Sequence, residues 1–388
     1  MPATLLTLAS EPAAEYRTGE PLAETDREIA AAAAERLPRL EFSSNLARAA
    51  RELAGSWTGT NIGAAPHEVI TFALHSAGCA DPSAMAALVA TTDSSSEPAW
   101  REFAATLGSV KEPFTHVGVA SARDPGRPRY TRWVMLAVDR RYTLRPLPRA
   151  LAAGASVRLE FGLPRTLRNP GVIATTPHGA TLRLAAEATA GGWAATLELG
   201  RDPGEHTVEI LASDEHGPQV VALFPDSVAA PPPRQWRGEA PPAEDAIRSA
   251  EAAEDYLRGL TDRQRRENGR KELVWDPRLA VVARRHAEDM RDHGFMGHLS
   301  PTSGDVGDRL RRDGYSFSYA AENIARASSL WEAVESLMRS PGHRANLLAT
   351  DPTHAGIGVA IAADADGRRT FLVTQVFARP NPSAPRPR

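Results

Sequence analysis

Apolar and polar residues alternate with a period of two in several short runs in the middle of the chain. In SVRLEFGL, Val157, Leu159 and Phe161 fall on one face, as expected of a half-buried strand. ATLRLAAEA, WAATLEL and HTVEILA are further runs of strand length, separated by turns that contain proline and glycine. This series predicts a small antiparallel, Ig-like β-sandwich over residues 144–228. No cluster of catalytic residue types interrupts it, so we interpret the domain as a spacer or a binding module.

Apolar residues recur with helical spacing in the last third of the chain. Leu279, Ala283, Ala287 and Met290 form one stripe, which predicts a helix with a core-facing side. Further on, IGVAIA and TFLVTQVF flank the turn-forming residues 364–367 and predict a hairpin. Helices followed by such a hairpin predict a helix–sheet–helix layering.

A second helix is predicted to begin at Ser329, where Glu332 three residues later can complete a capping box. Its predicted buried face consists of Trp331, Val334 and Met338. The sequence SPG ends this helix, because proline and glycine interrupt helical structure. We expect His343 to enter a new short helix directly afterwards.

The first and last parts of the chain are similar to each other. LEFSSNLARAARELA (40–54) aligns without a gap with LVWDPRLAVVARRHA (273–287), and VGVASARDPGRPRYTRWVMLAV (117–138) parallels IGVAIAADADGRRTFLVTQVF (357–377). Two matches in the same order predict an internal duplication. The first copy is predicted to form an α/β domain over residues 25–143.

Proline marks the clearest domain boundary. The segment AAPPPRQWRGEAPPAED (229–245) holds five prolines and few apolar residues, which predicts an exposed linker. With flexible segments predicted at 1–24 and 381–388, the linker sets apart a carboxy-terminal domain at 246–380. A chain of 388 residues is long enough for two or three domains. The fold class predicted is therefore an α+β multidomain protein.

Composition and charge narrow the classes of partner. The 45 basic and 48 acidic residues give a net charge of −3, so we expect no nucleic-acid partner. No run approaches the roughly 20 apolar residues of a transmembrane segment. The single cysteine, Cys79, cannot form an internal disulfide. The apolar run near the amino terminus has no basic residue before it and is a poor signal peptide, which leaves a cytoplasmic location open.

Three polar residues in the last third are not explained by periodicity. They are His298 in FMGHLSP, Glu322 in AENIA and His343 in SPGHRANLL. Two neutral imidazoles and a carboxylate can hold zinc and leave one position for water. Alternatively, the carboxylate and one histidine can act as a general acid–base pair. The histidines lie far apart in the chain and no HExxH motif is present, so spacing alone does not decide between these interpretations.

The order of several segments resembles that of a known family. LVWDPRLAVVARRHAEDM, GHLSP, DRLRRDGY, AENIA, SPGHRANLL, AGIGVAI and VTQVFA follow one another as in bacterial members of the CAP superfamily. These are SCP-like extracellular domains akin to cysteine-rich secretory and plant pathogenesis-related proteins, and the resemblance covers about 250–379. It implies an α-β-α sandwich and an extracellular, periplasmic or envelope location. It also implies a surface cleft where two histidines and one or two acidic residues sometimes bind a divalent metal.

The resemblance assigns roles residue by residue. His298 matches the first histidine of the family, Glu322 the glutamate of its GEN segment, and His343 the histidine of its SPGH segment, as metal ligands or catalytic residues. Ala321 replaces the usual glycine. The second glutamate of animal members is missing, and Glu335, which is nearest, is out of position. Zinc or another divalent cation would therefore depend more on water ligands and bind weakly.

Neighbouring polar residues are secondary candidates. Arg344 and Asn346 are candidates for binding a ligand anion, or alternatively for capping and supporting the loop. Gln375 on the last strand is a candidate for lining the same cleft. His286 lies on the apolar stripe of its helix and is expected to be a structural core residue.

The first copy lacks the candidate site. In the alignment of the two copies, Phe103 occupies the position of His343, and no GEN-like segment is present. His67 lies close to the position of His298, without the expected partners. We therefore expect a degenerate CAP-type scaffold in the first copy.

Three functions are compatible with the sequence. We favour binding of a ligand, a partner or a divalent metal through the His–Glu cleft. A metal-dependent hydrolase, such as a peptidase, is the alternative, although no nucleophile or oxyanion-hole signature is evident. A purely structural role is the third, and the retained polar residues of the second copy argue against it. Whether the protein is an enzyme, whether the ligand is a lipid, a glycan or a protein, and the oligomeric state stay open.

Overall fold

The computed structural model describes residues 4–57, 65–92, 95–109, 113–124, 126–238, 242, 244, 246–363 and 369–381. The chain divides into two compact units, Met1–Ala212 with Val220–Ala240 and Ser213–Gln219 with Pro241–Arg388. Both helices and strands are present, so the α+β class predicted from the sequence is confirmed. Among the described residues, no helix has the length and apolar content that a bilayer crossing requires.

Helices α1–α4 and strands β1–β17 lie between residues 4 and 238. The helices are α1 (Arg27–Arg36), α2 (Ser44–Ser56), α3 (His67–Ser76) and α4 (Glu97–Ser109). The first strands are β1 (Thr4–Thr7), β2 (Glu15–Tyr16), β3 (Glu41–Phe42), β4 (Met85–Thr91), β5 (His116–Arg123) and β6 (Thr131–Val138). Next come β7 (Thr143–Leu144), β8 (Leu147–Pro148), β9 (Ala150–Leu151), β10 (Ser156–Gly162), β11 (Arg168–Thr175) and β12 (Thr181–Leu184). The last are β13 (Glu187–Thr189), β14 (Gly192–Glu198), β15 (Gly204–Asp214), β16 (Gly217–Val228) and β17 (Gln235–Gly238).

A four-stranded sheet with helices packed on it occupies the range 25–143. Its strand order is β3-β5-β6-β4, with β3 parallel to β5 and the other neighbours antiparallel. Helix α2 packs closely on β5, since a Cβ atom added at Gly118 would lie 2.2 Å from backbone atoms of Leu46 and Ala47. Ser43 caps α2 by accepting a hydrogen bond from the backbone nitrogen of Leu46.

Two further sheets share one apolar core between residues 143 and 228. Their strand orders are β13-β14-β10-β7 and β12-β11-β15-β16-β9. Leu159 and Phe161 of the first sheet lie in the same buried cluster as Val172 and Ile210 of the second. Strand β10 pairs antiparallel with β14 and β7, whereas β9 pairs parallel with β16.

The two ends of the first unit differ from the sequence-based prediction. The sequence predicts a flexible segment at 1–24 and an exposed linker at 229–245, but the described residues of both contain strands. Strand β1 pairs antiparallel with β17 along its whole length, and Leu6 and Tyr16 are fully buried. The two paired strands are adjacent in space but lie near the two ends of the sequence of this unit. A local sequence pattern therefore cannot indicate the pairing.

The remaining helices and strands belong to the second unit. They are α5 (Ala250–Glu267), β18 (Val274–Trp275), α6 (Pro277–His293), α7 (Val306–Arg312), β19 (Phe317–Ala327), α8 (Leu330–Arg339), α9 (Pro341–Leu347), β20 (His354–Ala363) and β21 (Arg369–Pro380). The turn predicted at 364–367 lies outside the described residues, as does the tail 381–388 apart from Asn381.

The second unit is built around a sheet with the order β18-β20-β21-β19. Ile357 and Val359 of β20 share a buried cluster with α5 and α8. The alternate position Gly356 faces α6, where an added Cβ atom would lie 2.2 Å from the backbone nitrogen of Ala280. Helices therefore cover both faces of the sheet. The stripe predicted for α6 is confirmed, because its four residues are fully buried: Leu279, Ala283, Ala287 and Met290.

Helix α8 differs in detail from its prediction. Ser329 caps it as expected, but the side chain of Glu332 accepts hydrogen bonds from Ser328. Trp331 and Met338 are only partly buried. The buried residues are Leu330, Ala333, Val334 and Leu337. At each end of the helix, the buried residue is therefore the one that precedes the predicted residue in the sequence.

The sheets of the two units have the same strand order and the same strand directions. In each, a short first strand runs parallel to the second, and the remaining neighbours are antiparallel. A Thr-His dipeptide lies at the start of the second strand in both. The hydroxyl of Thr115 lies 2.9 Å from Nδ1 of His116, and the same atoms of Thr353 and His354 are 2.9 Å apart.

The helix–sheet contacts suggest a different alignment of the two similar segments from the one made on the sequence. Gly118 contacts α2 as Gly356 contacts α6, whereas the alignment of the sequences pairs Gly118 with Gly358. The contacts of the two glycines thus differ by two residues from the sequence alignment. The correspondence between Phe103 and His343 depends on aligning Gly118 with Gly358, so the structure does not support it.

Candidate functional site

His298 lies in the loop that follows α6. Gly294 ends this helix in the left-handed conformation, with φ of 69°, which glycine adopts without steric cost. Phe295 then packs against the buried cluster of α6, and the backbone nitrogen of Leu299 donates to the carbonyl of His216 at 2.8 Å. Contacts on both sides of His298 therefore fix the loop. The side chain of His298 itself is 23% exposed.

Glu322 lies in β19, opposite Val376 of the central strand β21. Its side chain is almost fully buried, with 2% exposed. Oε1 accepts a hydrogen bond from Nδ1 of His298 at 3.0 Å, and Oε2 accepts one from the guanidinium of Arg309. The structure thus brings two of the predicted site residues into direct contact.

His343 lies in the first turn of α9. Ser340 caps this helix, and its hydroxyl lies 2.7 Å from Nδ1 of His343. Pro341 occupies the first helical turn, where its missing N–H has no cost. The rings of His298 and His343 have their centroids 6.4 Å apart. All three predicted residues therefore lie in one cluster.

The charge of Glu322 determines which nitrogen of His298 carries a proton. Burial opposes ionisation of this carboxyl, but the hydrogen bond from His298 and the charge of Arg309 outweigh it and hold the pKa below its usual value. An ionised carboxylate accepts hydrogen bonds only, so Nδ1 of His298 must be the donor. In the neutral ring, Nε2 is then an acceptor. Among the described residues, it has no hydrogen-bond partner.

His343 is held in its neutral form. Burial, with a smaller effect of His298, lowers the pKa of His343 to about 3. The imidazole therefore carries no charge at neutral pH. This side of the cleft therefore contains at least one uncharged imidazole, that of His343.

His286 lies beneath Glu322. It is fully buried, its Nε2 donates to the carbonyl of Gly297 at 3.0 Å, and the same atom is 3.8 Å from Oε1 of Glu322. Burial lowers the pKa of His286. The side chain has the core position expected from the sequence, and it fills the space behind the carboxylate.

Amide side chains support the backbone of the site. Nδ2 of Asn323 donates to the carbonyl of His343 at 3.0 Å and to Oε1 of Gln375 at 3.2 Å. Nδ2 of Asn346 donates to the carbonyl of Glu322 at 3.2 Å. These bonds connect β19 to α9, so Glu322 and His343 are held on a common frame.

The secondary candidates contact the frame of the site. Gln375 is 1% exposed and donates to the hydroxyl of Thr261 at 3.0 Å, so it does not line the cleft as predicted. Arg344 donates to Oδ1 of Asn268 at 2.7 Å, beyond the end of α5. For Arg344 and Asn346, the alternative of structural support agrees with these contacts.

Sequence reasoning missed Arg309. It occurs in DRLRRDGY beside two exposed arginines, and a run of arginines is usually a solvated surface. A signal is nevertheless present, because Arg309 falls next to the buried Leu310 and three residues after Val306. An arginine on the apolar stripe of a short helix is a pattern that indicates a buried cation.

The arrangement fits a divalent metal poorly. Both oxygens of Glu322 are engaged, one by His298 and one by Arg309. In the part of the chain that the structure describes, no group of three or more His, Cys, Asp or Glu residues could hold a metal ion. Without the carboxylate, only two imidazoles remain, whereas stable zinc sites use three or four protein ligands.

Other candidate residues lie apart from this cluster. His293 is exposed and contacts Asp289, Glu335 accepts a bond from Gln264, and Cys79 is a buried free thiol. In the first unit, His67 begins α3 and Phe103 is fully buried in the core beside α4.

The first sheet has an apolar residue at the register position of Glu322. The two sheets can be compared by counting residues from the histidine of each Thr-His dipeptide and then following the strand pairing across the sheet. By this comparison, Glu322 corresponds to Ala86 of β4. Alanine offers no acceptor for a histidine side chain. A carboxylate is therefore missing from the first sheet where the second sheet has one.

Residues 256–377 match the family model of CAP, the Cysteine-rich secretory protein family. Two relatives come from Bacillus subtilis (strain 168). The Uncharacterized protein YkwD is 38% identical over 111 residues, which are 28% of this chain and 43% of that protein. The Uncharacterized membrane protein YlbC is 39% identical over 108 residues, 28% of this chain and 31% of that protein. The matched region thus spans less than half of each relative.

Solved structures with similarity to this chain include the following two. An extracellular protein containing a SCP domain from Bacillus anthracis str. Ames is 25% identical, with a TM-score of 0.30, and the match covers 46% of this chain and 65% of that chain. An outer surface protein from Borrelia burgdorferi is 21% identical, with a TM-score of 0.30, and the match covers 33% of this chain and 93% of that chain.

Proposed function

Because residues 256–377 form a domain of the cysteine-rich secretory protein (CAP) family, we propose that this domain binds a ligand through the cleft formed by His298, Glu322 and His343. The observation that carries the proposal is the 3.0 Å bond between Nδ1 of His298 and Oε1 of Glu322. It fixes the orientation of the ring and places a proton on Nδ1, so in the neutral ring Nε2 of His298 offers a lone pair to a ligand.

The chemistry of the cleft favours an uncharged ligand that donates a hydrogen bond. The rings of His298 and the neutral His343 have their centroids 6.4 Å apart, so one small polar group can contact both. The charge of Glu322 is balanced by Arg309. A ligand hydroxyl or amide N–H that donates to Nε2 of His298 meets these conditions.

The test is a binding screen on the full chain. Ligand-observed NMR with a mixed panel of short peptides, oligosaccharides and fatty acids should identify a binder whose signal is lost in His298→Ala and in Glu322→Gln. His293→Ala is the matched control, because His293 is an exposed histidine at the end of the same α6. If every binder keeps its signal in both cleft variants, the proposal is wrong.

The hydrolase alternative has no comparable support. It needs Glu322 to activate a water molecule, but both oxygens of this carboxylate are already hydrogen-bonded. Ser340 is 4% exposed and caps α9, which does not suit an attacking nucleophile.

We also propose that the protein works outside the cytoplasm or at the cell envelope. The family name of the matched domain, which includes the word secretory, supports this location. Fractionation of cells that express the protein from its natural gene, followed by immunoblotting, tests it. Recovery in the cytoplasmic fraction alone would contradict the proposal.

Finally, we propose that the α/β part of the first unit is a degenerate copy of the CAP domain. The shared strand order, the two Thr-His dipeptides and the matching contacts of Gly118 and Gly356 support a common origin. Ala86 at the register position of Glu322 supports the loss of the site. Ligand binding is therefore assigned to the second unit alone.

A further inference from the structure

Arg309 has a place in the cleft that ligand binding alone does not explain. Its side chain is 5% exposed, and one terminal nitrogen donates to Oε2 of Glu322. The other terminal nitrogen donates to the backbone carbonyls of His298, at 3.2 Å, and Gly304, at 2.6 Å. The guanidinium thus lies between the carboxylate and the loop that carries His298.

The fold holds Arg309 in this position. Asp305 and Asp308 form a reciprocal capping box at the start of α7, which fixes the direction of this short helix. Leu310 is fully buried against α6, and the side chain of Arg309 is itself only 5% exposed. Arg309 is therefore a built-in part of the site and not a mobile surface side chain.

A divalent cation and this guanidinium compete for the same carboxylate. Each oxygen of Glu322 already has a donor, so a metal ion that bound the carboxylate would have to share an oxygen with His298 or Arg309 or displace one of them. A metal ion that displaced only His298 would stay next to a fixed positive charge in a poorly solvated site, where like charges repel strongly.

We propose that Arg309 is the resident cation of this cleft. Its guanidinium takes the place beside Glu322 that a divalent metal ion would need, orients the His298–Glu322 pair without a metal, and selects against divalent cations. The inference rests on the proposed cleft but not on the identity of its ligand, so a failed ligand screen leaves it standing.

Zinc titration by calorimetry on the full chain tests the inference. Arg309→Met should bind zinc at least tenfold more tightly than the wild type, and Arg309→Met combined with Glu322→Gln should lose that gain. Arg312→Met is the matched control, because Arg312 is an exposed arginine of the same helix, and it should behave as the wild type. If Arg309→Met and the wild type bind zinc with equal affinity, the inference is overturned.

A second arm decides the question if Arg309→Met does not fold. In the wild type, Glu322 is not a metal ligand, so Glu322→Gln should leave the zinc affinity unchanged within twofold. A tenfold weakening by Glu322→Gln, with the fold intact by circular dichroism, would mean that the carboxylate binds metal despite Arg309, and the inference fails.

Discussion

At the scale of single residues, the state of one side chain follows from the bonds of its neighbour. Nδ1 of His298 donates because Glu322 is ionised, and Glu322 is ionised because Arg309 and His298 stabilise its charge. The sequence was sufficient to predict His298, Glu322 and His343 as residues of the site. Their protonation states were not, because these depend on Arg309 and on burial.

Replacement of Asn323 by alanine should destabilise the second unit. The carbonyl of His343 and Oε1 of Gln375 would each lose a buried donor, which costs about 2 kcal/mol in the free energy of unfolding. Urea denaturation measures this change. Asn381→Ala, at an exposed asparagine bonded to Ser316, is the control and should change stability by less than about 0.5 kcal/mol. Equal effects of the two substitutions would count against the supporting role of Asn323.

Asp226 should make the first unit less stable as the pH rises. Its side chain is fully buried, both oxygens lack a hydrogen-bond partner among the described residues, and burial raises its pKa to about 7, although Arg149 partly opposes the shift. Between about pH 4 and pH 7 the folded chain keeps a proton that the unfolded chain releases, so stability falls as the pH rises through this window.

The variant Asp226→Asn should remove this dependence. From pH 5 to pH 8, the wild type should lose roughly 3 kcal/mol of unfolding free energy relative to Asp226→Asn, as measured by urea denaturation at each pH. Parallel stability profiles for the two proteins would show that Asp226 titrates normally.

At the scale of elements, glycines in the strands allow the helices to pack closely against the sheets. An added Cβ atom at Gly118 or Gly356 would lie 2.2 Å from the backbone of the packed helix, so alanine at either position should cost about 1–3 kcal/mol or more in unfolding free energy. At Gly171 of β11 nothing lies within 4 Å of an added Cβ, so Gly171→Ala is the control. Thermal melts of the three variants compare them directly. A melting temperature of Gly356→Ala equal to that of Gly171→Ala would refute the close packing.

Elements with regular periodicity were predictable from the sequence, and long-range or irregular features were not. The stripe of α6 was predicted because Leu279 and Ala283 recur at helical spacing and one face must be buried. The pairing of β1 with β17 was missed because its partners lie at opposite ends of the first unit. Arg309 was missed because a charged residue is ordinarily assigned to the surface.

At the scale of the whole molecule, we assign the candidate chemistry to the second unit only. The first unit has Ala86 at the register position of Glu322, and its His67 lies at the start of α3. His67→Ala should therefore leave every signal of the ligand screen unchanged, whereas His298→Ala should remove one. Loss of the same signal in His67→Ala would mean that the first unit takes part in binding.

The bond between His298 and Glu322 underlies both the proposed cleft and the role of Arg309, and nitrogen-15 NMR of the histidine rings is its decisive test. In the metal-free full chain at neutral pH, we expect His298 to carry its proton on Nδ1, and we expect Glu322→Gln to shift both ring nitrogens of His298. A His298 ring with its proton on Nε2, or with shifts that do not change in Glu322→Gln, would show that the bond does not form.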